Sequence, residues 1–192
     1  YQRPAGKYVI IRVNGIYSEY IDEDLEAAVR ACPDAIRIPK VEYAKEVMGE
    51  WKKLAIENGY GASEMILNEW NYVYGWAGDD FEYSLKTIQG LKGSAFALGV
   101  MCVGQESDLD MLMYYDARPT GFNGLFGYSG KEKLKTYYTF AAFSHLYGLG
   151  KYVKAQGKID NVYSCGALDE NEKAFLVTSY YEEKEKKATK KK

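Results

Sequence analysis

Four strand-like segments alternate with four helix-like segments, and this alternation restricts the fold more than any other feature of the chain. The predicted strands cover residues 7–15, 34–40, 64–72 and 110–119, and the predicted helices cover 22–32, 41–59, 79–105 and 134–153. Repeated strand–helix units form parallel strands joined by right-handed crossovers. The strands are apolar almost throughout, which is typical of a sheet covered on both faces. The chain is therefore predicted to be an α/β protein.

Two architectures fit this alternation, an open doubly wound sheet and half of an eight-stranded barrel. The pattern changes near the C-terminus, where residues 161–168 and 174–181 flank a polar turn and read as an antiparallel hairpin. The tail from residue 184 is charged and is expected to be solvated.

Composition excludes several classes of function. A net charge of −2 over 192 residues argues against a general nucleic-acid binder. No apolar run has the length of a membrane span, and no signal peptide opens the chain, so a cytoplasmic protein without membrane contact is expected. Three dispersed cysteines and one histidine predict neither a zinc site nor a disulfide framework. Phosphate-binding motifs with spaced glycines are absent.

In both architectures the site lies where the parallel strands end. The polar residues at the predicted strand ends are Arg12, Asn14, Lys40, Glu42, Asn68, Glu69, Asn71, Asp116 and Arg118. Carboxylates and amides dominate this set, which suits carbohydrate chemistry or the binding of a hard metal ion.

Glu69 follows a buried run in ILNEWNYVYGW and is surrounded by aromatic residues. A carboxylate that attacks a sugar must stay ionised, and hydrogen-bond donors keep it so. The candidate donors are Asn68, Asn71, Tyr114, Tyr115 and Arg118, and the candidate stacking surfaces are Trp51, Trp70 and Trp76. A structural ion pair between Glu69 and Arg118 or Lys40 explains the same residues equally well.

Residues 60–181 resemble the C-terminal half of a family 39 glycoside hydrolase, a barrel enzyme that retains stereochemistry. The shared motifs are ILNEWNY, GVMCVGQ, DMLMYYDARPTGFNGLF, LKTYYTFAAFSHL and the hairpin NVYSCGAL…AFLVTSYY. The resemblance implies that Glu69 is the nucleophile at the end of the seventh barrel strand. The neighbouring residues expected to contact the substrate are Asn68, Trp70, Asn71, Trp76, Tyr115, Asp116 and Arg118. No metal or other cofactor is implied.

The chain departs from that family at the acid/base residue, which the family carries in an Asn-Glu-Pro motif. No proline here follows Asn-Glu, and Asp116 is the nearest candidate substitute. Loss of the general acid costs a factor of about 10² to 10⁴ in rate, so an enzyme of this type would be incomplete or inactive.

Residues 7–47 resemble the third and fourth strands of the citrate lyase beta-subunit and malyl-CoA lyase family, through KYVIIRVNG and IRIPKVE. That resemblance implies an alternative function, a carbon–carbon lyase acting on a CoA ester. Arg12 and Lys40 would then bind the substrate beside a magnesium ion. The later strands that carry the magnesium ligands in that family do not follow here.

Together these patterns predict a partial (β/α)8 barrel of about four βα units with a C-terminal β-hairpin. Its predicted parts are a half-barrel over 1–155 (7–47 lyase-like, 60–155 glycosidase-like), a hairpin over 156–183 resembling an accessory β-sandwich, and a tail over 184–192. A chimera or a truncated barrel would have this pattern, and such a chain would either pair with a second copy to close a barrel or adopt an open sheet. A non-catalytic sugar-binding or structural half-barrel is the third function considered, and a carbohydrate is the expected ligand of the first and third.

Overall fold

The computed structural model describes residues 6–14, 18–37, 52–53, 56–57, 59, 61–155 and 159–181. In chain order the described elements are β1 (Ile10–Arg12), α1 (Ile21–Arg30), β2 (Ala35–Arg37), β3 (Glu64–Trp70), α2 (Gly78–Gln89), α3 (Leu91–Gln105), β4 (Met111–Tyr114), α4 (Lys135–Leu149), β5 (Lys151–Val153), β6 (Val162–Leu168) and β7 (Lys173–Ser179). Most of the predicted helix 41–59 lies outside the described residues, although Lys52–Lys53 and Ile56–Glu57 are helical.

Strands β1 to β4 form one parallel sheet, which confirms the predicted α/β class. Their order in the sheet is the order of the chain, β1-β2-β3-β4, and each neighbouring pair is parallel. A doubly wound sheet reverses its strand order at a switch point. These four strands contain no reversal, so they do not show the hallmark of that alternative.

Helices cover one face of the parallel sheet. Met65 and Leu67 of β3 pack there against Leu25 of α1 and against Ala97 and Met101 of α3. This core follows from the alternation of side chains along each strand, which sends every second residue to the helices.

The opposite face of the sheet differs from the prediction of two covered faces. Ile10, Met111 and Met113 point to this face and are 54%, 44% and 45% exposed. Among the described residues, no helix is packed against it. We call the face that carries Ile10, Arg12, Ala35, Arg37, Glu64, Ile66, Met111 and Met113 the open face.

Two glycines change the predicted helix boundaries. The single helix predicted over 79–105 is broken at Gly90, whose extended backbone separates α2 from α3. The helix predicted over 134–153 ends at Leu149, because Gly150 adopts a φ of +84°, which favours glycine. The residues that follow, Lys151–Val153, form β5 instead.

The C-terminal hairpin is confirmed, and it gains a third strand. β6 and β7 pair antiparallel, and β5 adds to the other edge of β6. This sheet packs on the helices through a second core, in which Cys165 and Ala167 of β6 lie with Cys102 of α3 and Leu146 of α4.

Candidate functional site

An extra residue in β3 decides where Glu69 lies. Leu67 of β3 pairs with Leu112 of β4, and Trp70 of β3 pairs with Tyr114 of β4. Between these two pairs the chain advances three residues along β3 but only two along β4. This shift of register at Asn68–Glu69 is that of a β-bulge, in which two residues oppose one. The bulge cancels one alternation of side chains, so Leu67 and Trp70 both enter the helix-covered core. The two residues between them are left on the open side.

Arg37, the last residue of β2, binds both residues of the bulge. Its Nε donates to Oδ1 of Asn68 at 2.6 Å, and its Nη2 donates to Oε2 of Glu69 at 3.1 Å. In the sheet Arg37 lies beside Ile66, two residues before Asn68 on the same face. One guanidinium therefore contacts two consecutive strand residues, which a regular strand would turn to opposite faces.

The ion pair between Arg37 and Glu69 is partly open to solvent. The two side chains are 33% and 31% exposed. Pairs in such surroundings contribute about 0–1 kcal/mol to stability. The main consequence of this pair is therefore orientation, since it holds one carboxylate oxygen of Glu69 at the edge where the parallel strands end.

Sequence reasoning missed Arg37. The second strand was predicted to continue to Lys40, so the polar residues predicted at its end are Lys40 and Glu42, which lie outside the described residues. The described part of this strand is Ala35–Arg37. Arg37 lies inside the predicted strand 34–40, so a pattern of polar strand ends does not select it.

Arg118 binds Asp116 and does not bind Glu69. Its Nε donates to Oδ2 of Asp116 at 2.6 Å, and its Nη2 donates to the hydroxyl of Tyr115 at 2.9 Å. The hydrogen bond to Asp116 raises the pKa of Arg118. The backbone N–H of Arg118 also donates to Asp116 at 3.2 Å, and the peptide bond between Tyr115 and Asp116 is cis. Asp116 is buried and accepts these bonds, so its geometry is that of an acceptor and not of a proton donor.

Asn71 joins two loops at the same edge. Its Nδ2 donates to the carbonyl oxygens of Tyr115 at 2.6 Å and Phe122 at 2.7 Å, and its Oδ1 accepts from the backbone N–H of Tyr72 at 2.7 Å. Asn71 also bonds the Tyr114 hydroxyl, whose pKa is raised because burial outweighs its hydrogen bonds. The side-chain amide of Asn71 thus hydrogen-bonds the backbone of the protein itself, whereas it was predicted to contact the substrate.

The two tryptophans next to Glu69 have different surroundings. Trp70 is 4% exposed and packs edge-on against Tyr114, with ring centroids 5.1 Å apart. Its predicted role as a stacking surface is corrected, because the bulge turns its ring into the core. Trp76 is 58% exposed, and its ring centroid lies 5.6 Å from that of Phe122, so more than half of its side chain is accessible to solvent. Trp51 lies outside the described residues.

The remaining strand-end residues lie around β1. Arg12 is exposed at its end, and Asn14 is held by Asp24, whose Oδ2 accepts from its side-chain amide at 2.7 Å. In the part of the chain that the structure describes, no three His, Cys, Asp or Glu side chains form a group able to hold a metal ion. Within the same residues, no helix is long and apolar enough to cross a membrane.

Comparison with known proteins supports both sequence resemblances. The family model described as HpcH/HpaI aldolase/citrate lyase matches residues 1–61. Among solved structures, the chain is similar to a glucosidase from Croceicoccus marinus, with a TM-score of 0.62 and 14% identity over 88% of this chain and 38% of that one. It is equally similar to the GH39 enzyme from Xanthomonas axonopodis pv. citri, with a TM-score of 0.62 and 13% identity over 91% of this chain and 39% of that one.

A GH30 endoxylanase from Clostridium papyrosolvens matches with a TM-score of 0.50 and 9% identity, over 88% of this chain and 50% of that one. No curated protein matches the chain. The chain spans half or less of each of these solved structures. At these identities the likeness establishes a shared fold, and function is inferred from the site itself.

Proposed function

We propose that the chain carries the nucleophile side of a retaining glycoside hydrolase site, on four βα units of a (β/α)8 barrel, with Glu69 as nucleophile. The observation that carries the proposal is the β-bulge at Asn68–Glu69, which brings the carboxylate to the open side at the carboxyl ends of the strands. Active sites of parallel barrels occupy this position. The fold shared with the glucosidase and the GH39 enzyme agrees with it.

The pairing with Arg37 suits a nucleophile. Arg37 donates to Oε2 of Glu69, which leaves Oε1 to attack the anomeric carbon of a sugar. In that step a bond forms between Oε1 and the anomeric carbon, and the bond to the leaving oxygen breaks with its electron pair. Water then releases the sugar from Glu69.

The sugar would lie between Glu69 and the exposed ring of Trp76, which packs beside the half-buried Phe122. An exposed indole offers an apolar face to the C–H groups of a sugar ring. Asp116 does not supply the missing proton, because both of its carboxylate oxygens already accept hydrogen bonds from Arg118, whereas Arg37 contacts only one oxygen of Glu69. Within the described residues the site therefore resembles half of a glycosidase centre, and departure of an unactivated alcohol would be slow.

The test uses a leaving group that needs no proton. A dinitrophenyl glycoside fluorinated next to the anomeric carbon should attach its sugar to Glu69, and peptide mapping by mass spectrometry should locate it there. Glu69→Gln should abolish the label. Glu64→Gln is the matched control, since Glu64 lies at the other end of β3, where it accepts from Tyr8. A label on another residue, or no label, would contradict the proposal.

A lyase is the second candidate, favoured by the family model over residues 1–61. In that function Arg12, at the end of β1, would bind the carboxylate of a CoA ester beside magnesium. Magnesium with an acyl-CoA should then raise the melting temperature, and Arg12→Ala should remove the shift. A non-catalytic sugar-binding protein would instead bind sugar equally well after Glu69→Gln and would acquire no label.

A further inference from the structure

The open face is unusual for a parallel sheet, because parallel sheets are normally covered on both faces. Its middle is apolar, with Ile66 between the exposed side chains of Ile10, Met111 and Met113. Its carboxyl end is polar, with Arg37 and the bulge of β3. This order resembles the inside of a barrel, in which side chains fill the interior and the polar site lies at the mouth.

We infer that a second copy of this chain covers the open face, and that the two four-stranded sheets close one eight-stranded barrel. β1 and β4 are the edges of the sheet in the described structure. A two-fold axis along the barrel would pair β4 of each copy with β1 of the other, so that both edges are satisfied and all strands run parallel.

Strand number and strand order favour a second copy over other occupants. Four strands in sequential order are half of eight, the number at which side chains just fill a barrel. A second copy brings the four parallel strands that such a ring still needs, in the same order.

Closure of the barrel by two copies would also complete the proposed glycosidase site. This part of the inference rests on the proposed function. In a ring of eight strands, β3 of one copy lies four strands from β3 of the other, directly across the barrel. Glu69 would then face the partner's Glu69 across the mouth. A glycosidase needs two carboxyl groups about 5 to 9.5 Å apart, and the second one would come from the partner.

Light scattering tests the assembly without any sugar. The protein in solution should have twice the mass of one chain, which is 21.8 kDa. Met113→Asp or Met111→Asp on the open face should reduce the measured mass to that of one chain. Val177→Asp is the matched control, because Val177 is exposed on β7, away from the open face. Circular dichroism should show all three variants folded. A wild-type monomer, or a dimer unaffected by both methionine variants, would overturn the inference.

Cross-linking tests the position of Glu69 in the dimer. In a Cys32→Ser background, Glu69→Cys should form a covalent dimer with a short bismaleimide, whereas Val177→Cys should not. Equal cross-linking of both variants would overturn the two-fold arrangement. The mass and cross-linking results do not depend on carbohydrate chemistry. A monomer would therefore remove this inference alone, and an unlabelled Glu69 in a confirmed dimer would remove only the proposed function.

Discussion

A single inserted residue determines the chemistry that the strand end can perform. Without the bulge, Asn68 and Glu69 would face opposite sides of β3, and one of them would enter the apolar core among Leu67 and Ala97. Burying an unpaired carboxylate there would cost several kcal/mol. With the bulge, both side chains reach Arg37, and the adjacent Trp70 takes the core position.

Trp70 provides the first prediction at the scale of a residue. Trp70→Ala should lower the free energy of unfolding by about 3–5 kcal/mol, because it removes a buried ring. Trp70→Phe should cost less, since Nε1 of Trp70 is buried with no hydrogen-bond partner in the described structure. Denaturant unfolding followed by circular dichroism measures both changes.

Trp76 is the control for that prediction. Its ring is mostly exposed, so Trp76→Ala should change stability by less than about 0.5 kcal/mol and should weaken sugar binding. If Trp70→Ala left stability unchanged and abolished sugar binding, Trp70 would be a ligand surface after all.

At the scale of elements, single residues in the turns determine where a helix ends and how a hairpin closes. Gly150 ends α4 through its positive φ, and Asp169 organises the turn between β6 and β7. One oxygen of Asp169 accepts from the backbone N–H groups of Asn171 and Glu172, each at 2.7 Å. A carboxylate in such a turn satisfies donors that the hairpin would otherwise expose to solvent.

The Asp169 turn predicts a dependence of stability on pH. The N–H groups of Asn171 and then Glu172 lower the pKa of Asp169 below its ordinary value of 3.8. Because the folded state has the lower pKa, the stabilisation is present above the unfolded pKa and is lost as pH falls through the folded pKa. The melting-temperature advantage of the wild type over Asp169→Asn should therefore shrink between about pH 5 and pH 3. An advantage that stays constant over this range would show that the charge plays no part.

For the whole molecule, two cores hold two sheets on the same helices. The first lies between the parallel sheet and α1 and α3, and the second lies between α3, α4 and β6. Phe143 of α4 packs against both cores. Helices α3 and α4 are therefore covered on more than one side, which agrees with their lack of a single apolar stripe.

Cysteine labelling tests how the second core is closed. Cys102 of α3 and Cys165 of β6 are buried, with sulfur atoms 3.2 Å apart, and Cys32 is exposed. The hydrogen bond with Cys165, followed by burial, raises the pKa of Cys102 and so suppresses its reactive thiolate. Iodoacetamide should add one adduct to the native protein and three after unfolding, as counted by mass spectrometry. Two or three adducts on the native protein would show that β6 is not packed on α3 as described.

The sequence determined the class of the protein and the edge of the sheet at which polar side chains gather. Alternating strand and helix patterns predict parallel strands, and polar residues at strand ends meet at one edge, so local pattern alone placed Glu69, Asp116 and Arg118 at that edge. The hairpin was also predicted, because strand period and turn residues are properties of neighbouring positions.

Only the tertiary structure decided which of these side chains meet. Arg37 and Glu69 are 32 residues apart, and no local pattern reports a contact at that separation. The burial of Trp70 depends on a register shift against β4, which arises from pairing between strands and not from either strand by itself. The open face likewise follows from what packs on the sheet, because the same apolar strand pattern is compatible with one covered face or two.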